Sequence, residues 1–362
     1  MKLYTKAAAA LLATTAIAHA GGVERQNQSV AILFEEGTYV ELSFSFSTTE
    51  VSGTSSATTA SSDDVSTDFW NGALRFRQDI NDQLSFALIG ENHIGADVRY
   101  DAGTGYPIGG SFAELPAASL TALVRYELPS SFSIYGGARV SRAEGNVSLP
   151  FASGYTLNTG TDTAYGYVLG VAYERPDIAL RVALTYNSEY THEFDATEGG
   201  PVPGVTNLEV TIPQSLMLEA QSGIAEDTLL FGSVRWVDWT AFDITPTNYT
   251  TFVVPGGSLV SYDDDSITYT LGLGRRFTDE FAGAVSVLFE PENNTQGSNL
   301  GPTDGRIALG VGGTYNLPNG VEISGGVQYS WLGNTTTVPA VGTGDFRDNN
   351  SIAVGLTVGM GF

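Results

Sequence analysis

Residues 351–362 read S-I-A-V-G-L-T-V-G-M-G-F, and apolar side chains occupy every second position from Ile352 to Phe362. The alternate positions hold only serine, alanine, threonine and three glycines. Successive side chains of a strand point to opposite faces, so one face of this stretch is continuously apolar and the other is small. A soluble edge strand of this kind would invite aggregation, whereas a strand in a lipid-embedded barrel needs such a face. The stretch therefore indicates a transmembrane antiparallel β-barrel.

The first twenty residues differ from the rest of the chain. Lys2 and Lys6 precede an apolar run from Ala7 to Ile17, and residues 18–20 read A-H-A. A basic start, a short apolar run and a small-residue cleavage site are typical of a secretory signal peptide. Residues 1–20 are therefore predicted to be removed on export and to lie outside the fold.

Composition narrows the possible functions. Without the two lysines of residues 1–20, the chain holds 14 arginines against 40 acidic residues, which makes nucleic acid an implausible partner. Cysteine is absent, so neither a disulfide framework nor a thiolate metal site exists. We expect no cofactor, no metal site and no enzyme activity, since no Ser/His/Asp arrangement is apparent. Any carboxylate-binding site must use arginine, whose guanidinium grips a carboxylate with two hydrogen bonds.

Segments of alternating apolarity recur from residue 36 to the end and number about fourteen. Six short connections alternate strictly with seven longer ones rich in Gly, Thr, Asp and Asn, as expected for short periplasmic turns and long extracellular loops. A soluble β-sandwich is the alternative, but it predicts strands of about five or six residues. The predicted strands are 36–48, 67–80, 83–99, 115–128, 131–147, 161–175, 178–193, 206–222, 227–242, 265–278, 281–291, 305–316, 320–332 and 350–362.

The segment before the first strand, residues 21–35, ends in an apolar cluster of Val30, Ile32, Leu33 and Phe34. We interpret it as a short hatch folded into the lumen of a barrel formed by residues 36–362. A disordered leader is the alternative, because chain ends are usually loose.

With the strands placed, several stretches resemble the FadL family of outer-membrane channels for long-chain fatty acids and, in some members, aromatic hydrocarbons. They are R-Q-N-Q-S-V-A-I-L-F-E-E-G-T-Y-V-E-L-S (25–43), L-S-F-A-L-I-G-E-N-H-I-G-A-D-V-R-Y (84–100), I-P-Q-S-L-M-L-E (212–219) and V-R-W-V-D-W-T-A-F (234–242). The resemblance implies a hatch inside a 14-stranded barrel and lateral release of a hydrophobic ligand at a kink in the third strand. The hatch is short for the family, and so is the loop at 148–160.

Three arginines are candidates for binding a fatty-acid carboxylate. Arg125, Arg139 and Arg181 fall on the phase of their strands that should face the lumen. Val30, Ile32, Leu33 and Phe34 of the hatch would supply an apolar lining. The alternative is that the arginines pair with wall carboxylates as ordinary packing.

Residues 90–95 are the candidate gate. Gly90 and Gly95 lie within a strand, where glycine weakens pairing and often marks a bulge or kink. Glu91, Asn92 and His93 interrupt the lipid-facing phase between them, which a regular strand would not tolerate at mid-membrane. The alternative is that this stretch lies near the rim of the barrel.

The sequence thus predicts an outer-membrane barrel of a Gram-negative bacterium that passively admits hydrophobic molecules, most plausibly long-chain fatty acids. A general diffusion porin and a non-transporting surface barrel, acting as an adhesin or structural protein, are the alternatives. The expected partners besides the ligand are outer-membrane lipids, lipopolysaccharide and the barrel assembly machinery. Phe362, a terminal aromatic residue, resembles the assembly signal of such barrels.

Overall fold

The computed structural model describes residues 23–293, 297–337 and 343–362. The expected signal peptide lies outside these residues. Fourteen antiparallel strands form a closed barrel, as the sequence predicts. They are β1 (Tyr39–Glu50), β2 (Phe69–Asn81), β3 (Leu84–Glu91, resumed as Gly95–Arg99), β4 (Phe112–Glu127), β5 (Phe132–Ala143), β6 (Asp162–Arg175), β7 (Leu180–Asn187), β8 (Ser215–Ala225), β9 (Thr228–Val237), β10 (Ser266–Arg276), β11 (Phe281–Glu290), β12 (Arg306–Asn316), β13 (Val321–Leu332) and β14 (Asn350–Gly361).

The last strand closes the barrel against the first. The ladder between β14 and β1 runs from the pair Tyr39 and Gly361 to the pair Glu50 and Asn350. Phe362 follows β14, and its N–H donates to the carbonyl of Thr38 at 2.8 Å. Closure satisfies the backbone groups that an open sheet would leave exposed on both strands.

Side chains of β14 alternate as its sequence predicts. Ile352, Val354, Leu356 and Val358 are 39–49% exposed on the outer surface, whereas Ala353, Gly355 and Thr357 between them are buried. The same outward apolar positions recur on the neighbouring strands and form a band around the barrel. An outward apolar band over a polar interior is the pattern of a barrel embedded in lipid.

The two ends of the barrel differ. The connections at the end near Tyr39 and Phe362 are short, and we call it the turn end. At the opposite loop end the chain forms two further hairpins, Asn146–Leu149 with Tyr155–Thr159 and Tyr190–Gly199 with Gly204–Ile212. The predicted strands leave 148–160 and 194–205 as loops, and this prediction is wrong because most of these residues pair in the two hairpins. Their inward side chains build a core beyond the apolar band, and this burial outweighs their loop-like composition.

Smaller elements complete the loop end. Gly53–Ser55, Gly344–Phe346 and Thr335–Thr337 form a three-stranded sheet, and Asp243–Ile244 pairs with Val260–Ser261. Short helical turns occur at Ala31–Phe34, Pro176–Ile178, Trp239–Ala241 and, as a π-helix, Tyr249–Val253. Strand β9 therefore ends at Val237, not at residue 242 as its sequence predicts. No helix in the described part of the chain is both long and apolar enough to cross a membrane.

Candidate functional site

Residues 23–35, the N-terminal segment, lie inside the barrel. The carboxylate of Glu24 accepts hydrogen bonds from both terminal nitrogens of Arg235 on β9, at 2.5 and 2.7 Å. The side-chain oxygen of Gln28 accepts a hydrogen bond from Arg139 on β5, whose Nε donates to Thr121 at 2.9 Å. The segment is thereby tied to strands on different sides of the lumen.

The segment is also held at the turn end. Phe34 lies between two cations, with the Cζ atoms of Arg125 and Arg181 at 4.7 and 4.4 Å from its ring centroid. Arg125 donates to the carbonyl of Leu33 at 3.2 Å and pairs with the carboxylate of Glu174. The apolar side chains of the segment complete a small core with inward residues of β3 to β7: Val30, Ile32, Leu33, Ala87, Ile89, Leu123, Tyr135, Val168, Ala172 and Ala183.

All three candidate arginines thus contact the N-terminal segment. Arg125 has carboxylate partners, as the alternative interpretation expects, because it also contacts Glu127 at 3.1 Å. Arg139 and Arg181 contact neutral side chains, Gln28 and Gln221 respectively. A role of these arginines in binding ligand stays a prediction.

Strand β3 is broken where the sequence places the gate. Glu91 pairs with Ser119 of β4, and Gly95 pairs with Pro116. Four steps along β3 therefore match three steps along β4, so β3 carries one extra residue in a bulge. The inward phase of β3 shifts by one position across this bulge.

The bulge separates β3 from β2. Their ladder ends at the pair Ala73 and Glu91, and the next pairing between the two chain segments is an isolated bridge from Ser66 to Val98. Within the described ladder, residues 67–72 have no partner on β3. We call this interval the lateral opening.

Residues 23–25 occupy the lateral opening from the lumen side. The N–H of Gly95 donates to the carbonyl of Val23 at 2.8 Å, and the N–H of Arg25 donates to the carbonyl of His93 at 2.8 Å. Residues 23–25 therefore take the hydrogen-bonding positions that β2 leaves vacant.

The polar residues of the bulge mostly face inward. Glu91 is buried and pairs with Arg75 at 3.5 Å. His93 is buried, and its Nε2 lies 3.0 Å from the hydroxyl of Tyr190. Asn92 is exposed. The expectation that all three interrupt the lipid-facing phase is therefore wrong for Glu91 and His93, because the alternation of β3 places them in the lumen.

An apolar pocket of about 50 Å³ adjoins the lateral opening on the loop-end side. Val23 of the N-terminal segment and Ala96 of the resumed β3 both line it. Aliphatic side chains dominate the rest of its wall, which comes from β4, the two loop-end hairpins and the loops after β9 and β11: Leu115, Val147, Leu157, Phe194, Leu208, Val210, Ile244, Leu259, Val260 and Leu300. The pocket offers an alkyl group a site out of water.

A buried carboxylate fastens the loop that covers this pocket. Glu198 of the second hairpin is 1% exposed and accepts hydrogen bonds from the hydroxyls of Tyr155 and Thr206. It also accepts hydrogen bonds from the backbone N–H groups of Asn248 and Tyr249, each at 3.0 Å. Burial raises the pKa of Glu198, but the hydrogen bonds from Thr206, Asn248, Tyr155 and Tyr249 outweigh it and hold that pKa below its usual range.

The turn end holds a different cavity. A polar vestibule of about 560 Å³ opens there, and both charge signs line it, including Arg77, Arg125, Glu127 and Glu174. Between vestibule and pocket lie the buried side chains of the N-terminal segment and its wall partners. Within the described ranges, no group of three or more histidine and carboxylate side chains could hold a metal ion.

The glycines of β3 predict the bulge, whereas the pocket was not predicted from the sequence. The signal was present in Tyr190–Gly199, whose even-numbered residues are buried and whose odd-numbered ones are exposed up to Glu198. Threonine, aspartate and glutamate on the exposed phase gave this stretch the composition of a loop. The pairing of residues 23–25 with β3 carried no local signal.

Comparisons with known proteins agree with this geometry. Residues 15–343 match the family model described as outer membrane protein transport protein (OMPP1/FadL/TodX). The fold is similar to that of a Pseudomonas aeruginosa FadL homologue, with a TM-score of 0.75 and 14% identity over 97% of this chain and 98% of that one. It is also similar to the Pseudomonas putida toluene transporter TodX, with a TM-score of 0.67 and 11% identity over 97% and 98%. For the Ralstonia pickettii toluene transporter TbuX the TM-score is 0.63, with 13% identity over 91% of each chain. A search of curated protein sequences returned no match.

Proposed function

We propose that this chain, which belongs to the outer membrane protein transport family (OMPP1/FadL/TodX), takes up long-chain fatty acids and releases them sideways through the lateral opening. The family assignment establishes the broader statement. The protein is an outer-membrane channel for hydrophobic compounds and not an enzyme.

The observation that carries the proposal is the contact between pocket and lateral opening. Val23 and Ala96 belong to both, since each lines the pocket and lies on a segment that borders the opening. An alkyl chain held in the pocket is therefore beside a gap in the wall and need not cross the polar vestibule. Lipid on the outer side of that gap is the favourable destination for an apolar chain.

The lumen supports sideways release rather than passage straight through. In the proposal, residues 21–35 act as the hatch of the barrel formed by residues 36–362, after residues 1–20 have been removed as a signal peptide. The buried pair of Glu24 and Arg235 lies across the direct route. A general diffusion porin would instead need an open, water-filled lumen.

Removal of the bulge tests the proposal. Deletion of Asn92 would remove the extra residue, so that β3 and β4 match residue for residue across this stretch. Strand β3 could then continue its ladder with β2. Cells that lack their own fatty-acid transporter would produce the wild type or the variant, and uptake of labelled oleate would be measured. We expect uptake by the wild type and its loss in the deletion variant, with normal heat-modifiable migration of the folded barrel.

The matched control is Asn92→Ala, which keeps the extra residue and loses only a side-chain hydrogen bond to the carbonyl of Ala117. It should retain uptake. Undiminished oleate uptake by the deletion variant would contradict lateral release. Absence of uptake by the wild type would contradict fatty acids as ligands.

A further inference from the structure

The side chain of Arg25 runs through the lateral opening. A Cβ atom added to Gly95 would lie 2.6 Å from the Nε of Arg25 and 2.9 Å from its Cδ and Cζ. The arginine side chain therefore fills the space directly beside the Cα of Gly95. That space exists because residue 95 has no side chain.

This space is on the outer side of β3. Beyond the bulge, Ala96 lines the pocket and Val98 is buried in a neighbouring apolar core, so both point inward. Arg99 is exposed and pairs with Glu114 on the outer surface. Since side chains alternate, a side chain at Gly95 would point outward with Arg99. Arg25 therefore starts in the lumen and passes into the wall between β2 and β3, where its guanidinium lies over Phe69, a buried residue of β2.

The guanidinium has unused hydrogen-bonding capacity. Its Cζ lies 4.7 Å from the ring centroid of Phe69 on the other side of the opening. Its Nε is buried without an acceptor among the described residues, and Arg25 makes no ion pair within that part of the chain. The acceptors Asn71 Oδ1 and Asp97 Oδ1 nearby are also buried and unpartnered there. The carboxylate of Asp97 acts on the charge of Arg25 but accepts no hydrogen bond from it. A buried donor without an acceptor is costly, which points to a ligand that supplies one.

The surroundings define the kind of ligand. The opening lies at the loop-end margin of the outward apolar band, between exposed Trp70 and Leu120 on one side and the pair of Arg99 and Glu114 on the other. An alkyl chain entering lipid here would leave its polar head at the level of Arg25. A carboxylate there would receive charge-assisted hydrogen bonds from the guanidinium.

We propose that Arg25 recognises the head group of the ligand: its guanidinium binds the carboxylate of a long-chain anion as the alkyl chain passes between β2 and β3. Arg25 differs in this from Arg125, which carboxylates of the wall already occupy. The inference rests on the proposed uptake and lateral release of fatty acids and adds the residue that binds their carboxylate.

The test compares an anionic with a neutral compound of the same chain length. Cells without their own transporter would produce the wild type, Arg25→Gln or Gly95→Ala, and uptake of oleate and of oleyl alcohol would be measured. Arg25→Gln removes the charge, and Gly95→Ala displaces the arginine while leaving it in the chain. We expect both variants to lower the rate of oleate uptake about tenfold, as for loss of one charge-assisted hydrogen bond, with unchanged uptake of the alcohol.

The matched control is Arg275→Gln, which removes an exposed arginine of β10, seven strands away from β3, and should change neither rate. Equal loss of oleate and alcohol uptake in Arg25→Gln would show that Arg25 merely supports the segment and would overturn the inference. Unchanged oleate uptake in Arg25→Gln would overturn the inference too. This includes the case in which Arg25 contacts only membrane phosphates. Wild-type cells that take up neither compound would instead overturn the proposed function.

Discussion

Glu24 and Arg235 form a bidentate ion pair inside the barrel, with oxygen to nitrogen distances of 2.5 and 2.7 Å and both side chains 5% exposed. The backbone of Glu24 bridges to Ile94 at the break in β3. Arg235 lies on β9, which is six strands away in a barrel of fourteen and so on the nearly opposite wall. One residue of the N-terminal segment thus links the lateral opening to the far side of the lumen.

Breaking this pair should loosen the segment. Glu24→Gln leaves the Arg235 guanidinium buried without its counter-ion, and the loss of one partner of a buried pair costs about 3–5 kcal/mol. The segment can relieve that cost by leaving the lumen, which would admit water and ions. We expect a larger single-channel conductance than that of the wild type in planar bilayers.

The double variant Glu24→Gln with Arg235→Met controls for the buried charge. It should conduct less than Glu24→Gln alone, because no uncompensated guanidinium remains. Glu193→Gln, which neutralises an exposed carboxylate of the second hairpin, should leave the conductance unchanged. Wild-type conductance in Glu24→Gln would show that the pair does not hold the segment.

A disulfide should fix residues 23–25 in the lateral opening. Glu24 and Ile94 form an antiparallel pair without direct hydrogen bonds between them, for which Cα atoms lie about 4.5 Å apart and a disulfide is feasible. The chain has no cysteine, so Glu24→Cys with Ile94→Cys introduces one defined bond. We expect oleate uptake to fall strongly on oxidation and to recover on reduction, since release requires the segment to move.

Uptake is compared between the oxidised and reduced forms of the same variant, so the effect of the disulfide is separated from the effect of the two substitutions. Each single-cysteine variant should respond to neither oxidant nor reductant. Equal uptake in the oxidised and reduced states would mean that ligand passes without displacement of residues 23–25.

The barrel could be predicted from the sequence because the pattern that specifies it lies within each strand. Alternation in each strand, as from Ile352 to Val358, sets which face meets lipid, and the number of strands follows from counting such runs. The bulge was also predictable, since Gly90 and Gly95 interrupt a strand pattern. These features require no knowledge of what lies across the lumen.

The contacts that fill the barrel could not be predicted in this way. Arg139 meets Gln28, and Arg235 meets Glu24, over separations of 111 and 211 residues. No periodicity relates such positions. Orientation of Arg125 and Arg139 toward the lumen followed from alternation, but their partners depend on the path of the N-terminal segment, which only the folded chain defines.

Filling the apolar pocket should weaken uptake. Ala96→Leu adds a branched side chain at a buried position that borders a cavity of about 50 Å³. The half-saturating concentration of oleate should rise about tenfold, as for a loss of roughly 1–2 kcal/mol of apolar contact. Ala138→Leu makes the same change on the outer surface of β5 and should have no effect. An unchanged half-saturating concentration in Ala96→Leu would place the ligand elsewhere.

The attachment of the loop that Glu198 holds should depend on pH. Its pKa is lower in the folded protein than its ordinary value of 4.5, so its stabilising contribution is complete above that value and is lost as the pH falls through the lower, folded pKa. The loop that carries Asn248 and Tyr249 is what this carboxylate holds. Acid should therefore release the loop before the barrel itself unfolds.

Limited proteolysis measures this release. The wild type in detergent should resist cleavage between residues 245 and 262 near neutral pH and become sensitive to an acid-active protease below pH 4.5. Glu198→Ala leaves several buried donors unpaired, at about 1–3 kcal/mol each, and should be cleaved at every pH. Glu193→Gln, on the exposed face of the same hairpin, should behave as the wild type does. A loop that stays resistant in Glu198→Ala would show that its apolar contacts, through Leu259 and Val260, hold it without the carboxylate.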